Sequence, residues 1–180
     1  KQLGFPLGPI QLVDETSIEL GAKIARATRA AMGKSYPNDQ IDEILFWMED
    51  KGRLGRKANA GFFNYNENGK REGFWTGLQE KYPLSKTTPN LTEVQHRLMF
   101  IQALEAVRAL EEGVLMDIRE GDVGAVLGWG FAPWSGGPLS WLDILGTPYA
   151  AERSQELCKT YGPRFDCPPL LADMGKNNEA

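Results

Sequence analysis

The sequence predicts an all-α fold, a duplicated helical unit carrying one small β-hairpin at about residues 61–75. Three observations predict it. Apolar residues recur at helical spacing in several windows, with capping residues ahead of them and glycine behind. One window breaks that period and sets Asn-Gly between aromatic runs. One ordered series of motifs occurs twice.

Gly8-Pro9 starts the first helix, because a proline at the first helical position gives up an N–H that has no partner there. Thr16-Ser17 breaks it, and Thr16 with Glu19 reads as a capping box for a second helix running to about Met32. Pro37-Asn38-Asp39 opens a third segment, in which Ile41, Ile44, Leu45 and Met48 share one face. Lys51-Gly52 closes it, with a cation in the last turn and glycine just beyond. Phe62, Phe63 and Tyr65 precede Asn66-Glu67-Asn68-Gly69, and Gly73-Phe74-Trp75 follow. This pattern predicts a tight hairpin whose two central residues, Asn and Gly, both tolerate positive φ. Pro83 and Pro89 mark residues 83–90 as a linker. Thr92 with Gln95 caps the longest helix, with Val94, Leu98, Ile101, Leu104, Val107 and Leu110 as its apolar stripe down to Gly113. Asp117 with Glu120 caps a helix reaching Leu127, and Gly128-Trp129-Gly130 ends it. Thr147-Pro148 supplies an N-cap and first-turn proline for a helix ending before Gly162-Pro163, and a last short helix covers Leu170 to Met174.

The chain resembles itself. Gly4-Phe5-Pro6-Leu7-Gly8-Pro9 and the turn ending at Asp14 match Gly130-Phe131, a loop three residues longer, Gly137-Pro138 and the turn ending at Asp143. A helix of about four turns follows each copy, and then Ile44-Leu45-x-x-Met48 against Leu170-Leu171-x-x-Met174. Residues 1–90 are therefore expected to be a first repeat, lacking its first helix, plus the hairpin and linker; residues 91–180 are a second repeat, truncated at its end. On this frame the chain is expected to be cut at both ends relative to its own repeat.

Twenty basic and 24 acidic residues give a net charge of −4, which argues against a general nucleic-acid binder. A hydrophobic content of 42% allows a core, and no apolar run approaches the roughly 18 residues of a membrane span. The opening Lys1-Gln2-Leu3-Gly4-Phe5-Pro6 does not read as a signal peptide. Cys158, Cys167 and the single histidine, His96, do not make a zinc site, so no metal is expected. The thiols are expected to be reduced, as in a cytosolic protein.

His96 is expected to be a partly exposed helix-surface residue rather than a proton shuttle, because no substrate or orienting group is visible beside it. Lys51, Arg53, Arg56 and Lys57 form the densest basic cluster; it suits a helix C-terminus and a solvated turn, with phosphate contact as the competing reading. Trp129, Trp134 and Trp141 crowd the second Gly-Phe loop, as core filler or as the wall of a pocket or interface. Gly8-Pro9 and Gly137-Pro138 are expected to set tight loop-to-helix transitions, with no room for a branched side chain at Gly8. Glu111-Glu112 opposes a helix dipole, and Arg108 and Arg119 are the candidate compensators.

Four stretches in one order carry a resemblance: residues 4–9, the run Lys51-Gly52-Arg53-Leu54-Gly55-Arg56-Lys57-Ala58-Asn59-Ala60-Gly61-Phe62-Phe63, the helix end 103–113, and residues 130–138. Together they resemble the duplicated C-terminal helical region of 3-hydroxyacyl-CoA dehydrogenases, as in multifunctional fatty-acid oxidation enzymes that also carry an enoyl-CoA hydratase domain. The resemblance implies a 6-phosphogluconate dehydrogenase C-terminal-domain-like fold. It implies NAD-linked oxidation of 3-hydroxyacyl-CoA to 3-ketoacyl-CoA, by a histidine oriented by a glutamate, in β-oxidation. Both of those groups belong to the family's NAD-binding domain, whose Gly-x-Gly-x-x-Gly is absent from these 180 residues. NAD is thus expected on another domain of the parent chain, no catalytic residue is assigned here, and the isolated chain is expected to be inactive. The family's substrate-proximal Asn-Arg pair reads His96-Arg97 in the second copy, and the usual glycine of the Arg-Lys-x-Gly-x-Gly-Phe turn is Asn59, a residue that also tolerates the left-handed conformation. The substrate-binding residues implied are Phe5, Leu7, Gly8, Pro9 and Lys57. The partners implied are an acyl-CoA, the NAD-binding and hydratase domains of the parent chain, and a thiolase subunit, in the cytoplasm. A non-catalytic helical dimerisation or scaffold module and a free-standing acyl-CoA binder are the competing readings.

Overall fold

The computed structural model describes residues 1–36 and 40–179, which form an all-α arrangement with a single two-stranded hairpin. The chain divides into two compact units. The first, Leu7–Lys86, holds α1 (Pro9–Thr16), α2 (Ile18–Met32), α3 (Gln40–Asp50), β1 (Phe63–Tyr65), β2 (Arg71–Phe74) and α4 (Leu78–Lys81). The second, Lys1–Pro6 with Thr87–Ala180, holds α5 (Leu91–Glu111), α6 (Ile118–Trp129), α7 (Pro138–Leu145), α8 (Thr147–Tyr161) and α9 (Pro169–Asn177). Residues Pro37-Asn38-Asp39, expected to open α3, and the side chain of Ile41 lie outside the described residues.

The helices of the two units correspond in length. α1 and α7 have eight residues each, and α2 and α8 have fifteen. Each pair is joined by one residue in the same unusual conformation, Ser17 at φ 85, ψ 124 and Gly146 at φ 85, ψ 127. α1 and α7 both begin with proline after glycine, as the sequence requires.

The two glycines are not alike, and the expectation of no room at Gly8 fails. Gly8 is extended at φ −71, and a Cβ built there meets nothing within 4 Å. Gly137 has φ +129, and its Cβ would lie 2.4 Å from the Asp122 carboxylate. The cause is helix capping: Asp122 accepts from the N–H of Leu139 at 2.7 Å and of Ser140 at 3.1 Å, and from the Ser140 hydroxyl at 2.6 Å. The backbone must run against the carboxylate to be capped by it.

Three threonine caps read from sequence are displaced. Thr16 ends α1 and turns its hydroxyl back to the Leu12 carbonyl at 3.0 Å; α2 starts at Ile18, whose N–H goes to the Leu54 carbonyl at 3.0 Å. α5 is capped by Asn90, whose side chain accepts from the Glu93 N–H at 3.2 Å, which puts Thr92 inside the helix. Thr147 is the first residue of α8, and its hydroxyl donates to the Glu179 carbonyl at 2.5 Å. Threonine bonds equally well to a carbonyl outside the cap position, so pattern alone misplaces it. The acidic cap holds: Asp117 accepts from the Arg119 N–H at 2.8 Å, Glu120 reaches back to the Met116 N–H at 2.8 Å, and α6 runs on to Trp129.

The hairpin also departs in detail. Gly69 takes φ +69 but Asn68 has no positive φ, so the turn is not the two-residue form. The Gly69 N–H closes a turn on the Asn66 carbonyl at 2.8 Å, and the Asn66 side chain accepts from the N–H groups of Asn68 and Lys70, each at 3.0 Å. That is a type I turn followed by a left-handed glycine, the wider hairpin loop.

The second unit's core lies where α5 meets α7, with Phe100, Ala103, Leu104 and Val107 buried and Phe100 set edge-on to Trp141 at 5.0 Å. Val94, Leu98, Ile101 and Leu110 of the expected stripe are only half-buried, because α5 is packed by α6, α7 and α9 rather than from one side. Glu111 is not compensated by arginine. Its carboxylate accepts the Leu170 N–H at 3.0 Å and so caps α9, while Arg108 pairs with Glu105 and Arg119 with Asp117. Among the described residues no helix is long and apolar enough to cross a membrane.

Gly137→Ala should lower unfolding stability by at least about 2 kcal/mol, while Gly8→Ala should stay within about 0.5 kcal/mol of the parent in urea denaturation.

Candidate functional site

The most constrained place in the first unit is the Asp14 carboxylate. Asp14 sits near the end of α1 and is 1% exposed. It accepts from the N–H of Phe62 at 2.8 Å, the N–H of Phe63 at 3.0 Å and the Tyr65 hydroxyl at 2.9 Å. Gly61 is needed beside it, since a Cβ there would fall 2.3 Å from the carboxylate. Gly55, at φ +116, also passes close, since a Cβ there would fall 2.7 Å from the Asp14 carbonyl oxygen. Asn59 is left-handed at φ 55, ψ 15, so the turn accommodates asparagine as expected. Burial and the bond to Asp14 push the Tyr65 hydroxyl well above its ordinary range and keep it a donor.

The basic cluster divides. Arg53 donates to the carbonyls of Gly61 at 2.7 Å and Phe63 at 2.9 Å and to the Asn64 side chain at 2.8 Å, and it stacks 4.5 Å over Trp75. Burial lowers its pKa, and nearby Asp14 opposes that. Its role is to staple the loop. Arg56 pairs with Glu15 at 2.9 Å. Lys51 and Lys57 are exposed. A polar cleft of about 320 Å³ opens next to this turn, lined by Gln11, Glu15, Arg56, Tyr65, Lys70 and Arg71.

The expected substrate residues fall in both units. Phe5 belongs to the second unit, where its ring stands edge-on to Phe131 at 5.4 Å. Leu7, Gly8 and Pro9 form the start of α1 in the first unit. Lys57 lies on the turn tied to the other end of α1 through Arg56 and Glu15. The three tryptophans separate as well: Trp141 is core, while Trp129 and Trp134 are 62% and 58% exposed. The Trp134 indole donates to the Leu3 carbonyl at 2.7 Å.

His96 is half-buried on α5, in keeping with a partly exposed position on the helix. Its Nδ1 accepts from the Arg153 guanidinium at 3.3 Å, and its ring meets Phe100 and Tyr149 edge-on. Burial and the adjacent Arg153 hold its pKa below the ordinary value, which favours a neutral acceptor over a shuttle. A groove of about 760 Å³ between α5 and α6, floored by Ala106, Ala109, Gly121, Gly124 and Gly128, was not read from the sequence. The glycine spacing along α6 was the available signal. Both cysteines are free and half-buried. Among the described residues there is no parallel βαβ unit to hold a dinucleotide, since the one sheet is an antiparallel pair.

Residues 1–65 match the family of 3-hydroxyacyl-CoA dehydrogenase C-terminal domains. The fatty acid oxidation complex subunit alpha of Vibrio cholerae serotype O1, in two strains, is 36% identical over 177 residues, 96% of this chain and 24% of the relative. The chain thus spans about a quarter of the length of these relatives. The crystal structure of 3-hydroxybutyryl-CoA dehydrogenase from Escherichia coli shares the fold with a TM-score of 0.65 at 17% identity, over 98% of this chain and 52% of that one.

Asp14→Asn keeps one acceptor but sets an NH2 group against donors. It should reduce stability by about 2–3 kcal/mol and speed amide exchange at Phe62 and Phe63.

Proposed function

We propose that the chain, whose residues 1–65 match the 3-hydroxyacyl-CoA dehydrogenase C-terminal domain, is the substrate-side and assembly portion of such an enzyme. The reaction is the NAD-dependent conversion of 3-hydroxyacyl-CoA to 3-ketoacyl-CoA in fatty-acid β-oxidation. The observation that carries this reading is the 36% identity that runs through 96% of the chain to a fatty acid oxidation complex subunit alpha. NAD, held by a dinucleotide domain of the parent chain, accepts the hydride. The residues here do the complementary work. Phe5, Leu7 and Pro9 offer apolar surface to the acyl group, and Gly8, with no side chain and open space around it, lets a ligand approach the backbone. Lys57, exposed on its turn, meets a CoA phosphate as a point charge. Residues 1–90 and 91–180 are two copies of one ancestral unit, consistent with the paired helix lengths and the shared φ 85 bends. A hydratase domain and a thiolase subunit complete the assembly in the cytoplasm.

The purified 180-residue chain should show no NADH-dependent reduction of acetoacetyl-CoA, while the parent chain with its dinucleotide domain should turn over. In that parent, Lys57→Ala should raise KM about fivefold, the loss of one exposed charge contact of about 1 kcal/mol, with kcat held. Turnover by the purified chain, or an unchanged KM, would contradict these assignments.

A further inference from the structure

Gln11 and Glu15 flank Asp14 on α1, one helical turn apart and on one face. Together with Arg56, Tyr65, Lys70 and Arg71 they line the cleft of about 320 Å³ in the first unit. The hydrogen bonds that Asp14 accepts from Phe62, Phe63 and Tyr65 fix the base of the hairpin against α1, and so set the hairpin's cations facing Gln11 and Glu15.

Each guanidinium in the cleft is anchored by one nitrogen. Arg56 Nη1 donates to both carboxylate oxygens of Glu15, at 2.9 and 3.0 Å. Arg71 Nη1 donates to the Gln11 Oε1 at 2.6 Å, and its guanidinium lies 4.7 Å over the Phe63 ring. Among the described residues the Nε and Nη2 groups of both arginines have no acceptor. Lys70 is exposed, and among the described residues no carboxylate pairs with it or with Arg71. The charges of Arg56 and Glu15 offset each other, so Lys70 and Arg71 leave the cleft with positive charge in excess. The Tyr65 hydroxyl is spent on Asp14 and held protonated, so it adds no negative charge. We propose that this cleft binds a phosphate dianion, free or as the terminal phosphomonoester of an organic molecule.

The chemistry of the lining selects phosphate. A guanidinium fork matches two phosphate oxygens at once, and lysine adds a point charge. A phosphomonoester carries about two negative charges at neutral pH, which answers both Lys70 and Arg71. A carboxylate brings one charge and leaves one of them unmatched. The site is also built in advance. Gln11 and Phe63 orient Arg71, and Glu15 orients Arg56, so little side-chain freedom is lost on binding. Gly69, beside Lys70, has open space where a Cβ would stand, which keeps that rim of the cleft low. Lys57 is not part of the lining.

Isothermal titration calorimetry of the 180-residue chain, at about pH 7.5 and low salt where the phosphate is a dianion, tests the site with inorganic phosphate and with adenosine 3′-monophosphate. Saturable binding is expected, weakened at least about fivefold by Lys70→Gln and by Arg71→Gln. The thermal melt of the Lys70→Gln chain should match that of the parent, because the side chain is exposed and unpaired, and this separates lost binding from lost folding. Amide shifts on titration should be largest at Gly69, Lys70 and Arg71. A nucleotide at least about tenfold tighter than inorganic phosphate identifies an organic phosphomonoester as the ligand; equal affinities place recognition on the phosphate group alone. No saturable binding of either anion up to about ten millimolar, binding by both variants equal to that of the parent, or equal affinity for acetate at matched ionic strength would overturn the proposal.

Discussion

A buried carboxylate that must be fed by backbone N–H groups governs both units. Asp14 does this across 48 residues of chain, taking the N–H groups of Phe62 and Phe63. Asp122 does it across 17, taking those of Leu139 and Ser140. An ionised group away from water is tolerated only when its lone pairs are satisfied, so each donor segment has one place to go. The neighbouring conformations follow from this. Gly61 and Gly137 carry no side chain because a Cβ would occupy the position of carboxylate atoms. Arg53, bridging Gly61, Phe63 and Asn64, closes the loop from its other side.

Much of the helical framework was legible from the sequence because it rests on local chemistry. Proline after glycine at α1 and α7, the acidic pair at α6 and the glycine beyond α3 report on neighbouring backbone groups. Some features were misplaced by a competing local bond, as at Thr16, Asn90 and Asn66, and others by a partner far away in sequence. Thr147 answers to Glu179, Ile18 to Leu54, and Glu111 to Leu170. Gly8 and Gly137 stand in the same motif, yet only Gly137 faces a carboxylate, and that carboxylate comes from the preceding helix. The basic cluster read as a solvated turn for the same reason: nothing in the run from Lys51 to Lys57 reveals that Arg53 is taken up by Phe63 and stacked on Trp75.

The polar side chains of the loop follow this division. Arg53, Arg56 and Tyr65 are engaged in holding the loop, so Lys57 remains as the exposed charge on the Arg56–Ala58 turn. Conservation of type between the copies has the same logic. The Gly-Phe loop, the Gly-Pro start and the aspartate recur because each solves a backbone problem. The carboxylates of the two copies differ in their partners: Asp14 takes the N–H groups of Phe62 and Phe63, whereas Asp143 is exposed beside Asp122.

The claim that the Asp14 carboxylate organises the loop is tested most directly by a double-mutant cycle between Asp14→Asn and Tyr65→Phe, read by urea denaturation. The two groups are 2.9 Å apart and buried, so a coupling energy of at least about 1 kcal/mol is expected. Effects that add to within about 0.3 kcal/mol would contradict it and leave the loop held by Arg53 and its apolar contacts.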